Sequence, residues 1–201
     1  MRCCDPLRGE GQGKVGDGRR RPKRHLKAEV AVEDNSWTTC FYPRRCVLIT
    51  TISEDGWINV APFSAVELIS YRRGERDKDS NLVCFSVHPS RHTYGNILQV
   101  PEFVLNFPPR EIWDKVRKAG EEHDPSPDEV SEVGLTPIPS VKVRPPRVAE
   151  CYSHIECKVV GVVEAGEYRL VIGRVVAASA DSDKVDEAGR FDKLKAHPII
   201  L

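Results

Sequence analysis

The sequence predicts a mainly β domain, an antiparallel barrel with a few peripheral helices, and three observations carry that prediction. Short apolar, β-branched runs bounded by turn residues recur between residues 46 and 178 and outnumber the helical stretches. Two pairs of runs meet at glycine turns, Asp55-Gly56 and Ala165-Gly166-Glu167, which join antiparallel neighbours. The chain has 201 residues, 40% of them apolar, enough for one domain to bury a real core without staples.

Residues 1–35 carry Gly, Arg and Lys with almost no apolar pattern and are expected to form a disordered basic arm ahead of a folded domain over residues 36–201. Net charge is zero but uneven: residues 1–27 hold nine Lys/Arg against three Asp/Glu, and the remainder holds 21 against 27. The acidic body has no general attraction for nucleic acid, and the arm reads first as a solvated tail. A later start, at Val30 or Val32, is the other reading of that segment.

Residues 46–52 are a strand, nearly continuous in apolarity, and Ser53-Glu54-Asp55-Gly56 turns the chain back into residues 57–63. Pro62 cannot donate to a ladder, so an edge or a bulge is expected there. Residues 64–70 continue extended, 71–80 form a charged loop, and 82–87 are a buried strand ended by Pro89. Ser90 stands where a helix N-cap belongs, ahead of a short helix over 93–99. A strand follows at 102–107 and a helix at 110–119, with Ile112, Trp113 and Val116 on one face. Ser126-Pro127-Asp128-Glu129 reads as a capping box opening a helix that Gly134 closes. Residues 135–147 are Pro-rich and extended. Two long strands, 149–164 and 168–178, complete the domain, the first alternating Ile155, Cys157 and Val159 with Glu156 and Lys158.

Seven cysteines show no C-x-x-C and no metal spacing, so reduced, mostly buried thiols in a cytoplasmic protein are expected, with no metal. No run has the length of a membrane span, and the N-terminus has neither a signal-type apolar segment nor the Ser-rich, acid-poor make-up of a transit peptide. One Met and scarce Asn and Gln beside many Arg, Glu and Pro lean towards a heat-stable source, while seven Cys lean the other way.

The residues carry no Ser-His-Asp order, no paired carboxylates on one element and no H-E-x-x-H, so hydrolysis and metal catalysis are weakly supported. The strand-to-helix turn at Pro89–Thr93 offers backbone N–H groups, the planar Arg91 cation and the Thr93 hydroxyl, parts suited to a phosphate. The same parts describe an ordinary capped helix with a surface Arg. Small polar residues gather at strand ends, among them Thr50, Thr51, Asn59, Ser64, Thr93, Asn96 and Asn106. They suit hydrogen bonds to a planar polar ligand, and equally suit turn chemistry.

The run Thr50-Thr51, Gly56, then Asn59-Val60-Ala61-Pro62-Phe63-Ser64 resembles the first signature of the flavin reductase-like, FMN-binding split-barrel family, which includes flavoredoxin. Arg91-His92-Thr93-Tyr94-Gly95-Asn96-Ile97 followed by Glu102-Phe103-Val104-Leu105-Asn106 is similar to the second. Glu129, Gly134-Leu135-Thr136, Pro145-Pro146-Arg147, Ile155-Glu156-Cys157-Lys158, Leu170 to Val175 and the closing His197-Pro198-Ile199-Ile200-Leu201 keep the family's order. The likeness spans roughly residues 40–201, and order and spacing carry it more than any single motif.

The resemblance implies a homodimeric split β-barrel that binds FMN near the subunit interface. It implies that Arg91 and Thr93 hold the phosphate with Asn96 in support, that Thr51, Asn59, Ala61 and Ser64 line the ribityl chain and ring edge, and that Asn106 lies beside them. It further implies reduction of flavin by hydride transfer from NADH or NADPH, with an electron acceptor left open. Three features depart from the pattern: Tyr168 stands where many members have His, the 71–80 loop replaces an Asp-Pro-Pro, and the usual Gly and Tyr do not follow Leu201. A flavoredoxin-like electron carrier without direct nicotinamide use and a non-catalytic flavin-binding module therefore stay open beside the reductase.

Overall fold

The computed structural model describes residues 30–71, 80–121, 124–192 and 195–201. The chain divides into two units, 1–39 and 40–201. In the first, the described part is a turn in which the Trp37 N–H donates to the Ala31 carbonyl at 3.0 Å. The basic arm assigned to 1–35 and the charged loop at 71–80 fall largely outside the described residues.

The second unit is built on one seven-stranded antiparallel sheet. Its strands are β1 (Val47–Ile52), β2 (Ile58–Phe63), β3 (Val66–Ser70), β4 (Leu82–Val87), β5 (Glu102–Phe107), β8 (Ser153–Ala165) and β9 (Tyr168–Ala180), in the order β2-β1-β5-β8-β9-β4-β3. Between them, β6 (Pro137–Ile138) and β7 (Arg147–Val148) form a separate two-stranded pair. The helices are α1 (His92–Gln99), α2 (Trp113–Lys118) and α3 (Glu129–Glu132). No helix among the described residues is long and apolar enough to cross a membrane.

The order of the strands dictates a split barrel. β2 and β3 are the two edges of the sheet, yet only Ser64 and Ala65 separate them in sequence. Phe63 and Val66 are then three Cα–Cα steps apart, no more than about 11 Å, so the sheet must curl until its edges approach each other. β2 does not pair with β3; instead the Ser86 N–H on β4 donates to the Ala65 carbonyl at 3.1 Å, bridging the gap beside the link. Pro62 sits on β2, an edge strand, as its missing donor requires.

Two apolar cores lie on the two faces of β1. Val47 and Ile49 point into the barrel with Phe85, Phe103, Leu105 and Val171, where Phe63, Phe85 and Phe103 pack edge to face at 5.3 and 5.1 Å. Cys46 and Leu48 point outward, with Val60, against Val116 of α2, Val130 of α3 and Val133 at the C-cap of α3. Burial on both faces explains the unbroken apolarity of β1. Gly173 on β9 is required by packing: a Cβ there would stand 2.4 Å from Phe103 Cζ and 3.1 Å from Cys157 Cβ. Four of the five described cysteines are buried, and burial pushes the Cys46 and Cys157 thiols up to about 11 and about 12.

Several element boundaries differ from the sequence reading for identifiable reasons. The N-cap of α1 is Arg91, in extended conformation, whose carbonyl accepts the Tyr94 and Gly95 N–H groups at 2.9 and 3.3 Å. Ser90 instead holds His88. The third helix is capped by Asp128, whose side chain accepts from the Ser131 N–H, so it starts after Pro127 rather than at it. The first long strand begins at Ser153, four residues late, because 149–152 turn through a bend that lets the Tyr152 N–H reach the Phe107 carbonyl at 3.0 Å. Glu156, expected in solvent, is 2% exposed. The Pro-rich segment folds over it, and the Val141 and Lys142 N–H groups donate to its carboxylate at 2.9 and 2.6 Å.

Candidate functional site

A cleft of about 870 Å³ opens where the barrel is split. Its sides are the edge of β2 with the Ser64–Ala65 link, the end of β4, and the turn into α1; Gly120, Glu121 and Asp124 form the opposite wall, and Tyr168 at the head of β9 completes the rim. β4 delivers this turn because Phe85 and Val87 anchor it in the inner core while Pro89 ends its pairing. Helix α1 then closes one end of the barrel, with Ile97 buried among the same core residues.

At the rim, the His88 ring packs edge to face against Tyr168, centroids 5.5 Å apart. The Ser90 N–H donates to His88 Nδ1 at 3.3 Å, and the Ser90 hydroxyl lies 2.8 Å from the same nitrogen. A backbone N–H can only donate, so Nδ1 is the acceptor and the neutral ring carries its proton on Nε2.

The floor of the cleft is a buried polar chain. Glu129 is 8% exposed, Asn59 8% and Thr93 1%. The Val60 N–H donates to Glu129 Oε2 at 3.2 Å; a carboxylate only accepts, so the Asn59 amide directs its NH₂ to the same oxygen at 3.1 Å and its own oxygen accepts from Thr93 Oγ at 3.0 Å. The opposite orientation would set the amide oxygen against the carboxylate, acceptor facing acceptor. A smaller groove of about 310 Å³, walled by Ser53, Trp57, Asn96 and Gln99, shares Asn59, His92 and Glu129 with the first.

Five of the eight residues singled out from the sequence, Asn59, Ala61, Ser64, Arg91 and Thr93, line the large cleft together. Asn96 lines the smaller groove and donates through Nδ2 to Thr51 Oγ at 3.2 Å. Thr51 is fully buried behind it, so any part it plays is through Asn96 or its own backbone. Asn106 lies elsewhere. It pairs with Leu48 across the ladder, on the outward face of β1, and its Nδ2 reaches the Leu48 and Val104 carbonyls at 3.3 Å and Thr50 Oγ at 3.2 Å. Its Oδ1 accepts the Val148 N–H at 2.9 Å. Asn106 is a fully buried clamp between β1, β5 and β7 and is not among the residues that line the large cleft.

Glu129 and His88 are, with His92, Glu121 and Asp124, cleft residues to which sequence reasoning assigned no part in a ligand site. The signal for Glu129 was present: it adjoins the apolar Val130 and precedes Val133 by four residues in a short amphipathic stretch, where a carboxylate on the buried side is out of place unless it serves a partner.

A split antiparallel barrel, with an arginine-bearing helix start and a buried hydroxyl–amide–carboxylate floor at the split, defines a split-barrel protein with a large cleft at the split. Residues 39–195 match the flavin reductase like domain, and the chain belongs to that family. An uncharacterized protein of Aquifex aeolicus (strain VF5) is 29% identical over 162 residues, 78% of this chain and 79% of its own length. Among solved structures, flavoredoxin of Desulfovibrio vulgaris (Miyazaki F) superposes with a TM-score of 0.69 at 23% identity, covering 80% of this chain and 82% of its own. The NADH:FAD oxidoreductase SgcE6 of Streptomyces globisporus C-1027 superposes at 0.67 and 16% identity, covering 79% and 90%.

Proposed function

We propose that the large cleft binds FMN and that the protein is an oxidoreductase of the flavin reductase type, reduced by NADH or NADPH. One observation carries this reading: Asn59, Ala61 and Ser64 from one stretch and Arg91 and Thr93 from another, 27 residues on, converge on a single cleft. The donor set fits FMN. The exposed Arg91 guanidinium at the mouth suits a phosphate, the small side chains of Ala61 and Ser64 let a flat ring approach the β2 backbone, and the Asn59–Thr93 floor supplies polar edges. Bound flavin would supply the hydride chemistry; the chain's part is to hold and orient it and to keep water from the floor. A homodimer with the cleft near the subunit interface, and a reducing cytoplasmic setting for the buried thiols, accompany this reading.

A flavoredoxin-like electron carrier is the second reading, favoured by the rim: Tyr168 and His88 pack on each other there, and a phenol stands where a reductase of this family often has an imidazole. Purified protein should be yellow or turn yellow with FMN. Anaerobic addition of NADH or NADPH should bleach it if it is a reductase; failure with both, with bleaching by dithionite, supports the carrier. Arg91→Ala should weaken FMN about tenfold and leave riboflavin unchanged, since one exposed charge-assisted contact is worth about 1.5 kcal/mol. Equal losses for the two flavins would remove Arg91 from the phosphate.

A further inference from the structure

We infer that the smaller groove beside the large cleft is a second ligand site, and that it takes an uncharged, flat nitrogen heterocycle of the kind that adenine and nicotinamide share. That site does not depend on what the large cleft holds.

Three segments build the groove, whose volume of about 310 Å³ is within the range of small-molecule sites. The β1–β2 turn supplies Trp57, which is 44% exposed. The turn holds this residue in place: the Trp57 N–H donates to Ser53 Oγ at 3.0 Å, and its carbonyl accepts the Ser53 N–H at 2.9 Å. Pro125 and Ser126, ahead of α3, form another side. Helix α1 supplies His92, Gly95, Asn96 and Gln99, whose spacing places them on one helical face, while Thr93 and Ile97 are buried.

Gly95 is the residue that points to a ligand. It lies inside α1 without a positive φ, and a Cβ built on it would meet nothing within 4 Å, so neither the backbone nor the packing requires glycine. Glycine within a helix is unfavourable relative to alanine. The open space over it belongs to the groove, where a bare stretch of helix backbone and an exposed indole together leave room for a flat ring.

The other groups define the ring's chemistry. Asn96 commits one end of its amide to Thr51 Oγ at 3.2 Å, and Gln99 commits its amide oxygen to the Glu54 N–H at 3.1 Å, so each keeps one polar end for a ligand. Neither Lys nor Arg lines the groove among the described residues; its titratable groups are Asp55, His92 and Glu129. No fixed cation is there to select a phosphate, so the fitting ligand is a neutral ring with hydrogen-bonding edges.

The test follows the Trp57 indole N–H resonance of isotope-labelled full-length protein, identified by its loss in Trp57→Phe. Adenosine and nicotinamide, both uncharged, are titrated separately, with and without added FMN. At least one should shift that resonance saturably, and FMN should not displace it. A shift by adenosine alone identifies a nucleobase site, by nicotinamide alone a pyridine carboxamide site, and by both the shared chemistry. Gly95→Ala should raise the midpoint of urea unfolding yet weaken the bound compound about tenfold. Gly95→Leu, a good helix former with a larger side chain, should abolish saturable binding. No saturable shift with either compound, unchanged affinity in the Gly95 variants, or displacement by FMN overturns the inference. A lower urea midpoint in Gly95→Ala overturns it too, because packing would then account for the glycine. Failure of the protein to bind FMN removes the reading of the large cleft and leaves this one standing.

Discussion

Replacing Asn106 by Ala separates a residue that builds the scaffold from one that builds the cleft. The substitution removes the acceptor of the Val148 N–H, which is fully buried on β7 and cannot turn to water. An orphaned buried donor costs about 1–3 kcal/mol, and losing the amide's bonds to the Leu48 carbonyl and Thr50 Oγ adds roughly 1 kcal/mol more. The expected destabilisation is therefore about 3 kcal/mol, read as a lower midpoint of urea unfolding at unchanged slope. FMN affinity, followed by quenching of flavin fluorescence under conditions where the variant is folded, should stay within about twofold, below 0.5 kcal/mol. A stability loss under about 1 kcal/mol, or a tenfold weaker FMN affinity in folded protein, would refute the assignment of Asn106 to the outer face.

Three further outcomes follow from packing and protonation. Gly173→Ala forces a Cβ against the Phe103 ring and should cost about 1–3 kcal/mol, with Phe103→Leu in the same chain restoring part of it; additive losses would contradict the close approach. His154 is buried, with Nε2 2.8 Å from the Val148 carbonyl, and burial, reinforced by the Arg147 charge, lowers its pKa below the ordinary 6.5. The unfolded chain then takes up the proton first as pH falls, so this group costs nothing above about pH 6.5 and erodes stability below it until the folded pKa is passed, by up to about 1.4 kcal/mol per pH unit. His154→Leu should flatten that part of the stability–pH profile, and an identical slope would contradict the burial argument. Among the five described thiols, exposed Cys40 should react with iodoacetamide at neutral pH while Cys46, Cys84, Cys151 and Cys157 stay unmodified in peptide maps of native protein.

Much of this molecule was legible from local chemistry. The strands at 82–87 and 102–107 coincide with β4 and β5, because short β-branched runs ended by Pro or a turn have few alternatives. The Asp55-Gly56 turn and the Gly166 hairpin stand as read, with both glycines at positive φ. Helix starts were less legible. Ser90 has the side chain of a cap, but His88 Nδ1 takes both its N–H and its hydroxyl, and a competition between partners two residues apart leaves no mark in composition. Glu156 was misplaced for a related reason: its period-two position is outward, and only the fold of the Pro-rich segment makes outward mean buried.

The deeper limit concerns which face of a strand a polar residue occupies. Thr50 and Thr51 are adjacent, alike in chemistry, and both fully buried, yet Thr50 meets Asn106 in the outer clamp while Thr51 meets Asn96 behind the smaller groove. On a strand with one wet face, alternation of apolar and polar residues would have told them apart. β1 buries both faces, so Val47 and Ile49 on one side and Leu48 on the other are equally apolar, and the parity signal is erased. Asn106 inherits the ambiguity through its pairing with Leu48. On β2 the ambiguity does not arise. That strand is an edge, Pro62 marks it as one, and Asn59 and Ala61 line the cleft on the face opposite buried Val60. Sequence therefore resolves a cleft residue where its strand borders the cleft and loses the distinction where the strand runs through the centre. The strand of this barrel that borders the cleft is an edge, so the residues that line it there are also the ones most open to being read.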